Sequence, residues 1–294
     1  MSFWELRIPT APETSEGLTN FLWEQGALGV VEEELAGEPP RLRAFFPEAA
    51  SAADLRAAVG RYQQSLAALG FPGAHATAEI APLLEEAWAS AWQQAFPPRE
   101  VGDRLIILPP WEASAAAASS RASVVIHPGR AFGTGQHGST EGCLVLLEKA
   151  VAARVPDGVL DIGTGTGILA VAAVKLGVSR VFAIDVDPDA IRAARDNAAL
   201  NGCAGRIHMG LGGPEELPGA AAFDLLLANL LTQAHLALAP HYARLVAAGG
   251  AVVLGGMLPG EERQVALALR PMGLALETTL ETDGWASALL RREP

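Results

Sequence analysis

Cysteine is scarce in this chain: Cys143 and Cys203 are the only two in 294 residues. Neither belongs to a CxxC pair, and neither has a companion histidine at zinc-ligand spacing. A disulfide framework and a metal site are therefore not expected, and a reducing cytoplasm fits. Basic charge is also in short supply, with 21 Lys and Arg against 33 Asp and Glu and a formal net charge of −12. Such a balance repels a phosphate backbone, so a nucleic-acid partner is disfavoured and a basic protein partner is favoured. Long apolar runs are missing as well. The longest uncharged stretch, Leu225 to Ala243, is interrupted by Asn229, Thr232, Gln233, His235 and Pro240, which does not suit a membrane span of about 20 apolar residues. The opening residues carry Glu5 and Arg7 in a strand-like run and lack the order of a signal peptide. A soluble protein is expected.

Apolar residues are plentiful, at 50% of the chain, enough for a core in each of two domains. Residues 1–80 read as strand, helix, strand, strand, helix, strand. Phe3 to Ile8 is strand-like, and Leu18, Phe21 and Leu22 recur at helical spacing behind Ser15, an expected N-cap. Ala27 to Glu34 and Arg41 to Phe46 pair around a turn at Gly37 to Pro40. Ser51 with Asp54 caps a second helix, and His75 to Ile80 closes the unit. That order is the ferredoxin-like split βαβ. Residues 81–120 read as a connecting segment: a helix from Leu83 to Phe96 with Trp88, Trp92 and Phe96 four apart, then an Ala/Ser-rich surface loop from Ala113 to Ser120. Residues 121–294 alternate strand and helix from Val159 onward, as in a mostly parallel sheet. A final pair of strands around Asp283-Gly284 adds an antiparallel element.

The strongest motif runs Val159-Leu160-Asp161-Ile162-Gly163-Thr164-Gly165-Thr166-Gly167-Ile168-Leu169, an apolar strand entering glycines and then an apolar helix. Glycine is needed there because a Cβ would block the tight turn and hold a ligand off the backbone. Dinucleotide folds share this pattern. Asp161 tilts the choice, since a carboxylate beside the ligand path repels a pyrophosphate but suits a sulfonium and an ammonium. Asp185 ends the second strand, 22 residues after Gly163, where it can accept hydrogen bonds from both ribose hydroxyls or remain a solvated loop acid. Asn229 ends the fourth strand, where an amide can accept from an amine nucleophile and donate to a cofactor, or cap the next helix. Upstream, His127 to Thr140 forms a glycine-punctuated loop suited to covering a ligand, with Ser139 or Thr140 at the following helix N-terminus. His137 is a further catalytic candidate, the alternative being a surface histidine.

Taken together, Ala131-Phe132-Gly133-Thr134-Gly135-x-His137-x-x-Thr140, Asp161-x-Gly163-x-Gly165-x-Gly167-Ile168-Leu169-Ala170 and Ala228-Asn229-Leu230-Leu231 resemble the PrmA family of bacterial ribosomal protein L11 methyltransferases. Trp4-Glu5-Leu6, Gly26-Ala27-x-Gly29-Val30 and Trp88 with Trp92 match too, so the resemblance spans nearly the whole chain. It implies a doubly wound α/β, Rossmann-like class I methyltransferase domain at 121–294, behind a small ferredoxin-like α+β domain at 1–80 that recognises substrate. It further implies S-adenosylmethionine as cofactor and contacts to it from Thr140, Gly163, Gly165, Asp185 and Asn229. The implied substrate is free ribosomal protein L11, methylated on its α-amine and lysine ε-amines, with a monomer expected. The chain departs from the family pattern at Gly138-Ser139, where Pro-Thr is usual, at His127, where an acid precedes Pro-Gly, and at Gly256-Met257, where Gly-Ile follows the fifth strand.

Three other readings compete. A nucleic-acid amino-group methyltransferase also places Asn after the fourth strand, but typically follows it with Pro-Pro and an aromatic that stacks the base. Here Leu-Leu-Thr follows. An NAD-dependent oxidoreductase and a non-catalytic binding module both leave the cover loop and Asn229 unexplained.

Overall fold

The computed structural model describes residues 2–33, 40–71, 77–84, 96–116, 119–129, 131–219 and 223–293. The chain divides into two compact units, Met1–Phe96 and Pro97–Pro294. The Trp88 and Trp92 stripe and most of the Gly37 to Pro40 turn lie outside the described residues.

The first unit runs β1 (Ser2–Pro9), α1 (Pro12–Glu24), β2 (Gly29–Glu33), β3 (Arg41–Pro47), α2 (Ala52–Ala68) and β4 (Glu79–Leu84). Its sheet order is β2-β3-β1-β4, antiparallel throughout, which is the expected split βαβ. Alternate residues of the central strands, Leu6 and Ile8 with Leu42, Ala44 and Phe46, bury against Leu18 and Leu22 of α1 and Leu55 and Val59 of α2, as a period of two demands. The Ser51 hydroxyl oxygen accepts from the Asp54 N–H at 3.2 Å and caps α2. Helix α1 starts earlier than expected, with Ala11 rather than Ser15 as N-cap and Pro12 at its first position. Proline's fixed φ suits that position, where its missing N–H costs nothing.

The second unit opens with three short strands, β5 (Arg99–Val101), β6 (Leu105–Leu108) and β7 (Ala122–Val125), in one small sheet. Two of them fall in the stretch read as a connecting segment. Where a surface loop was expected, a helical turn α3 (Ala113–Ala116) forms; alanine favours helix once a turn is nucleated. There follow α4 (Gly138–Ala153), β8 (Val159–Ile162), α5 (Ile168–Lys175), β9 (Val181–Asp185), α6 (Pro188–Leu200), β10 (Ile207–Leu211), β11 (Phe223–Asn229), α7 (Thr232–Leu245), β12 (Val246–Met257), α8 (Glu261–Leu269), β13 (Leu274–Thr282) and β14 (Trp285–Arg292).

These last seven strands form one sheet in the order β10-β9-β8-β11-β12-β14-β13. The first five are parallel and β14 is antiparallel to both its neighbours. Cores lie on both faces, so β8 is buried at all four positions and needs an apolar run rather than alternation. Truncating Leu160 there to alanine would cost about 2–5 kcal/mol. The chain builds outward from β8 to β10, then returns to lay β11 on the other side of β8. Open α/β sheets bind ligands at such a reversal, outside the carboxyl ends of the strands.

Candidate active site

At the carboxyl end of β8 the backbone turns through Gly163, Gly165 and Gly167, all at positive φ (67°, 54° and 81°), a region that penalises any side chain. Space is equally restrictive. A Cβ on Gly163 would stand 2.6 Å from the Leu230 side chain, and one on Gly165 would collide with the Phe132 carbonyl oxygen. The loop is therefore packed between the β11–α7 turn and the His127–Thr140 segment.

Two carboxylates flank it. Asp161 is 1% exposed; its Oδ2 accepts from the Thr164 hydroxyl at 2.6 Å, while Oδ1 is buried without a partner among the described residues. Burial pushes its pKa up to about 7 and the charge of Asp185 adds to the rise, against opposing hydrogen bonds from Thr164 and the Ala170 backbone. Asp185, at the end of β9, accepts from Gly165 N–H at 2.9 Å and from Asp187 N–H at 3.0 Å, one on each oxygen. Each oxygen keeps a further lone pair for an outside donor.

Asn229 ends β11, and helix α7 is capped by Leu231 instead, so the capping alternative for Asn229 does not hold. Its Nδ2 donates to the hydroxyl oxygens of Ser139 at 3.1 Å and Thr140 at 3.3 Å, and its Oδ1 is buried with no partner among the described residues. The N-cap of α4 is His137 rather than Ser139 or Thr140. His137 Nδ1 accepts from the Ser139 backbone N–H at 3.4 Å and lies 2.8 Å from Ser139 Oγ. A backbone N–H can only donate, so Nδ1 is unprotonated and the Ser139 hydroxyl must donate to it. That leaves the Ser139 oxygen as an acceptor, which turns the Asn229 NH2 toward it and frees Oδ1. Burial pushes the His137 pKa down to about 4, against the pull of Asp283, so the ring stays neutral at pH 7. Trp285 and Phe132 enclose it, with ring centroids 4.6 and 5.4 Å away.

The cover loop is tied down at several points. Thr166 donates from its hydroxyl to Gly133 O at 2.5 Å and from its N–H to Phe132 O at 2.9 Å. Arg99 donates to Gln136 O at 2.9 Å and pairs with Asp283 and Glu141. Asn197 on α6 donates to Thr166 O and accepts from His127 N–H, both at 2.9 Å.

Gly163, Gly165, Asp185, Asn229, Thr140 and His137 thus gather along one edge of the sheet, around β8, β9, β11 and the start of α4. Sequence patterns do not single out Ser139 as the link from His137 to Asn229, nor Thr166 and Asn197 as anchors of the loops. Ser139 and Thr166 stand in the sequence only as members of their motifs, and Asn197, 31 residues from its partner Thr166, carries no local signal.

A doubly wound sheet with this glycine turn, paired acids and strand-end amide defines the class: an α/β methyltransferase. The model of the family described as ribosomal protein L11 methyltransferase (PrmA) matches residues 2–293. A ribosomal protein L11 methyltransferase from Pelotomaculum thermopropionicum is 35% identical, over 99% of each chain. One from Shouchella clausii is 30% identical with the same coverage. The crystal structure of a ribosomal protein L11 methylase from Lactobacillus delbrueckii subsp. bulgaricus is 28% identical, covers 68% of this chain and 100% of its own, and superposes with a TM-score of 0.61. The chain belongs to the ribosomal protein L11 methyltransferase family.

Proposed function

We propose that this chain transfers methyl groups from S-adenosylmethionine to the α-amine and lysine ε-amines of free ribosomal protein L11. On this reading residues 1–80 recognise the substrate, 81–120 connect, and 121–294 carry the transfer, by a monomer in the cytoplasm. Among the described residues no helix is long and apolar enough to cross a membrane.

The residues suit the methyl donor. Gly163 and Gly165 let the turn pack closely on Leu230 and the Phe132 carbonyl and keep its backbone bare of side chains on the ligand side, Asp185 keeps lone pairs for ribose hydroxyls, and the Asp161 Oδ1, without a partner among the described residues, suits a cationic group. Thr140 and Asn229 close the site from the α4 and β11 sides. When bound, S-adenosylmethionine supplies a methyl group on a sulfonium, ready for in-line displacement by a nitrogen lone pair.

The observation that carries the reading is the Asn229 Oδ1, buried without a partner among the described residues because the Nδ2 is engaged by the Ser139 and Thr140 hydroxyls. It can accept an N–H from the incoming amine and aim the lone pair, which is an orientation effect. The amine must be neutral to react. At pH 7, deprotonation costs about 4.6 kcal/mol for a lysine and about 1 kcal/mol for an α-amine. A carboxylate at this position would hold the amine charged, whereas a neutral amide does not. Water takes the proton, and His137 serves by position, through Ser139, rather than as a base.

The test is transfer of labelled methyl from S-adenosylmethionine to purified unmethylated ribosomal protein L11, with ribosomal RNA as the parallel acceptor and Asn229→Ala as control. Label in the protein alone, lost in the variant, supports the reading. Label in RNA alone transfers the enzyme to the nucleic-acid class, and binding without transfer removes the substrate assignment.

A further inference from the structure

One buried polar pair lies beneath the acceptor turn, apart from the cofactor cradle. His235 and Tyr242, both on α7, are each 0% exposed, a location where leucine and phenylalanine would pack without polar cost. His235 Nε2 lies 2.8 Å from Gly255 O, and its Nδ1 lies 3.0 Å from the Tyr242 hydroxyl. A carbonyl can only accept, so Nε2 carries the proton. In the neutral ring Nδ1 then accepts, and Tyr242 must be the donor. Burial lowers the His235 pKa, opposed by the carbonyls of Gly255 and Leu230, which keeps the ring in this form.

The target of that hydrogen bond is an unusual stretch of strand. At Gly255-Gly256 the pairing of β12 with β14 shifts register, between Leu254 and Met257, and Gly256 takes φ +81°. Bulges of this kind redirect a strand beside a site, but two adjacent glycines leave the backbone free to rotate. Asn229 rests on them: a Cβ on Gly255 or Gly256 would come 3.1 or 3.0 Å from Asn229 Oδ1. The Gly255 carbonyl also receives the Leu230 N–H at 3.0 Å. One carbonyl therefore gathers the bulge, the acceptor turn and His235.

We infer that His235, locked in its Nε2–H tautomer by Tyr242, is a positioning residue for methyl transfer: it pins the Gly255-Gly256 bulge as the floor under the Asn229 amide. The inference rests on Asn229 being the acceptor-orienting group. It assigns a role in transfer to two residues that touch neither the cofactor cradle nor the amine.

The test separates positioning from mere stability. His235→Leu alone orphans the Tyr242 hydroxyl, so the double variant His235→Leu/Tyr242→Phe, which removes both polar partners together, is the variant to measure. We expect it to fold, to bind S-adenosylhomocysteine with wild-type affinity by calorimetry, and to lose about tenfold in kcat for methylation of ribosomal protein L11 with a much smaller change in KM. His235→Gln, which keeps a donor toward Gly255, should recover most of that loss. An unchanged kcat in the folded double variant, or a parallel loss of cofactor affinity, overturns the inference. Asn229→Ala is run alongside: if it retains full activity, the acceptor assignment itself fails, whereas its loss with an active double variant sinks only the role of His235.

Discussion

The Thr166 hydroxyl donates a 2.5 Å hydrogen bond to the carbonyl of Gly133, 33 residues earlier in the chain. That contact, with the Thr166 N–H bond to Phe132 O beside it, joins the glycine turn after β8 to the loop that covers it, so ordering one favours ordering the other. Thr166→Val keeps the shape and removes the donor. Cofactor affinity, followed by calorimetry with S-adenosylhomocysteine, should fall about 3–10-fold, as loss of a buried hydrogen bond of about 1 kcal/mol implies. Affinity within twofold of wild type would show that the hydroxyl bond does not contribute to ordering the two loops for the ligand.

Gly165 should not accept a side chain. Its φ is +54° and a Cβ there meets the Phe132 carbonyl, whereas Gly177, at φ +112°, has none of the described residues within 4 Å of its Cβ position. Both alanine variants carry backbone strain of about 1 kcal/mol or more. Only Gly165→Ala should also weaken cofactor binding, by about tenfold or more. Equal binding by the two variants would mean that steric closeness to the cover loop is irrelevant to the ligand.

Asp161 makes a pH-dependent prediction. Its carboxyl has a pKa near 7 in the folded protein and about 3.9 when unfolded. Between those values the folded state holds a proton that the unfolded chain has released, so this group's contribution to stability falls as pH rises from 4 to 7 and then levels off. The amide introduced by Asp161→Asn cannot titrate, and each unit of separation is about 1.4 kcal/mol. The Tm of Asp161→Asn relative to wild type, both without ligand, should therefore climb across that window and plateau above it. A constant difference from pH 4.5 to 9 is the contrary result.

Placing a carboxylate at the acceptor position should shift the rate profile without abolishing chemistry. In Asn229→Asp the introduced charge raises the pKa of the bound amine by about 1–3 units. Transfer to ribosomal protein L11 should drop steeply at pH 7 and recover as pH approaches 10. A loss that stays the same from pH 7 to 10 would point to lost hydrogen-bond geometry instead.

How much of this was legible in advance depended on whether the signal was local. The Gly163 turn, Asp185 behind its apolar strand and the Asp283-Gly284 hairpin were readable because glycine at positive φ and strand ends leave marks within a few residues. The split βαβ was readable from alternation and caps. The β5–β6–β7 sheet was not: its strands are three or four residues long, and Leu105 to Leu108 are all buried, so no alternation separates them from a packed linker. The roles of Ser139, Asn197 and His235 were invisible for a different reason. Each depends on a hydrogen bond to a residue far away in sequence, and polar residues on helices give no local hint of which distant carbonyl or amide they meet.

Strand β14 is the last of the seven in chain order, yet it sits inside the sheet, between β12 and β13. Strand β13 pairs with β14 alone, so it has no place in the sheet unless β14 is laid down between it and β12. Trp285, the first residue of β14 and the ring that closes on His137, arrives with that strand. Losing β14 would therefore remove at one stroke the pairing partner of β13 and the ring that packs on His137.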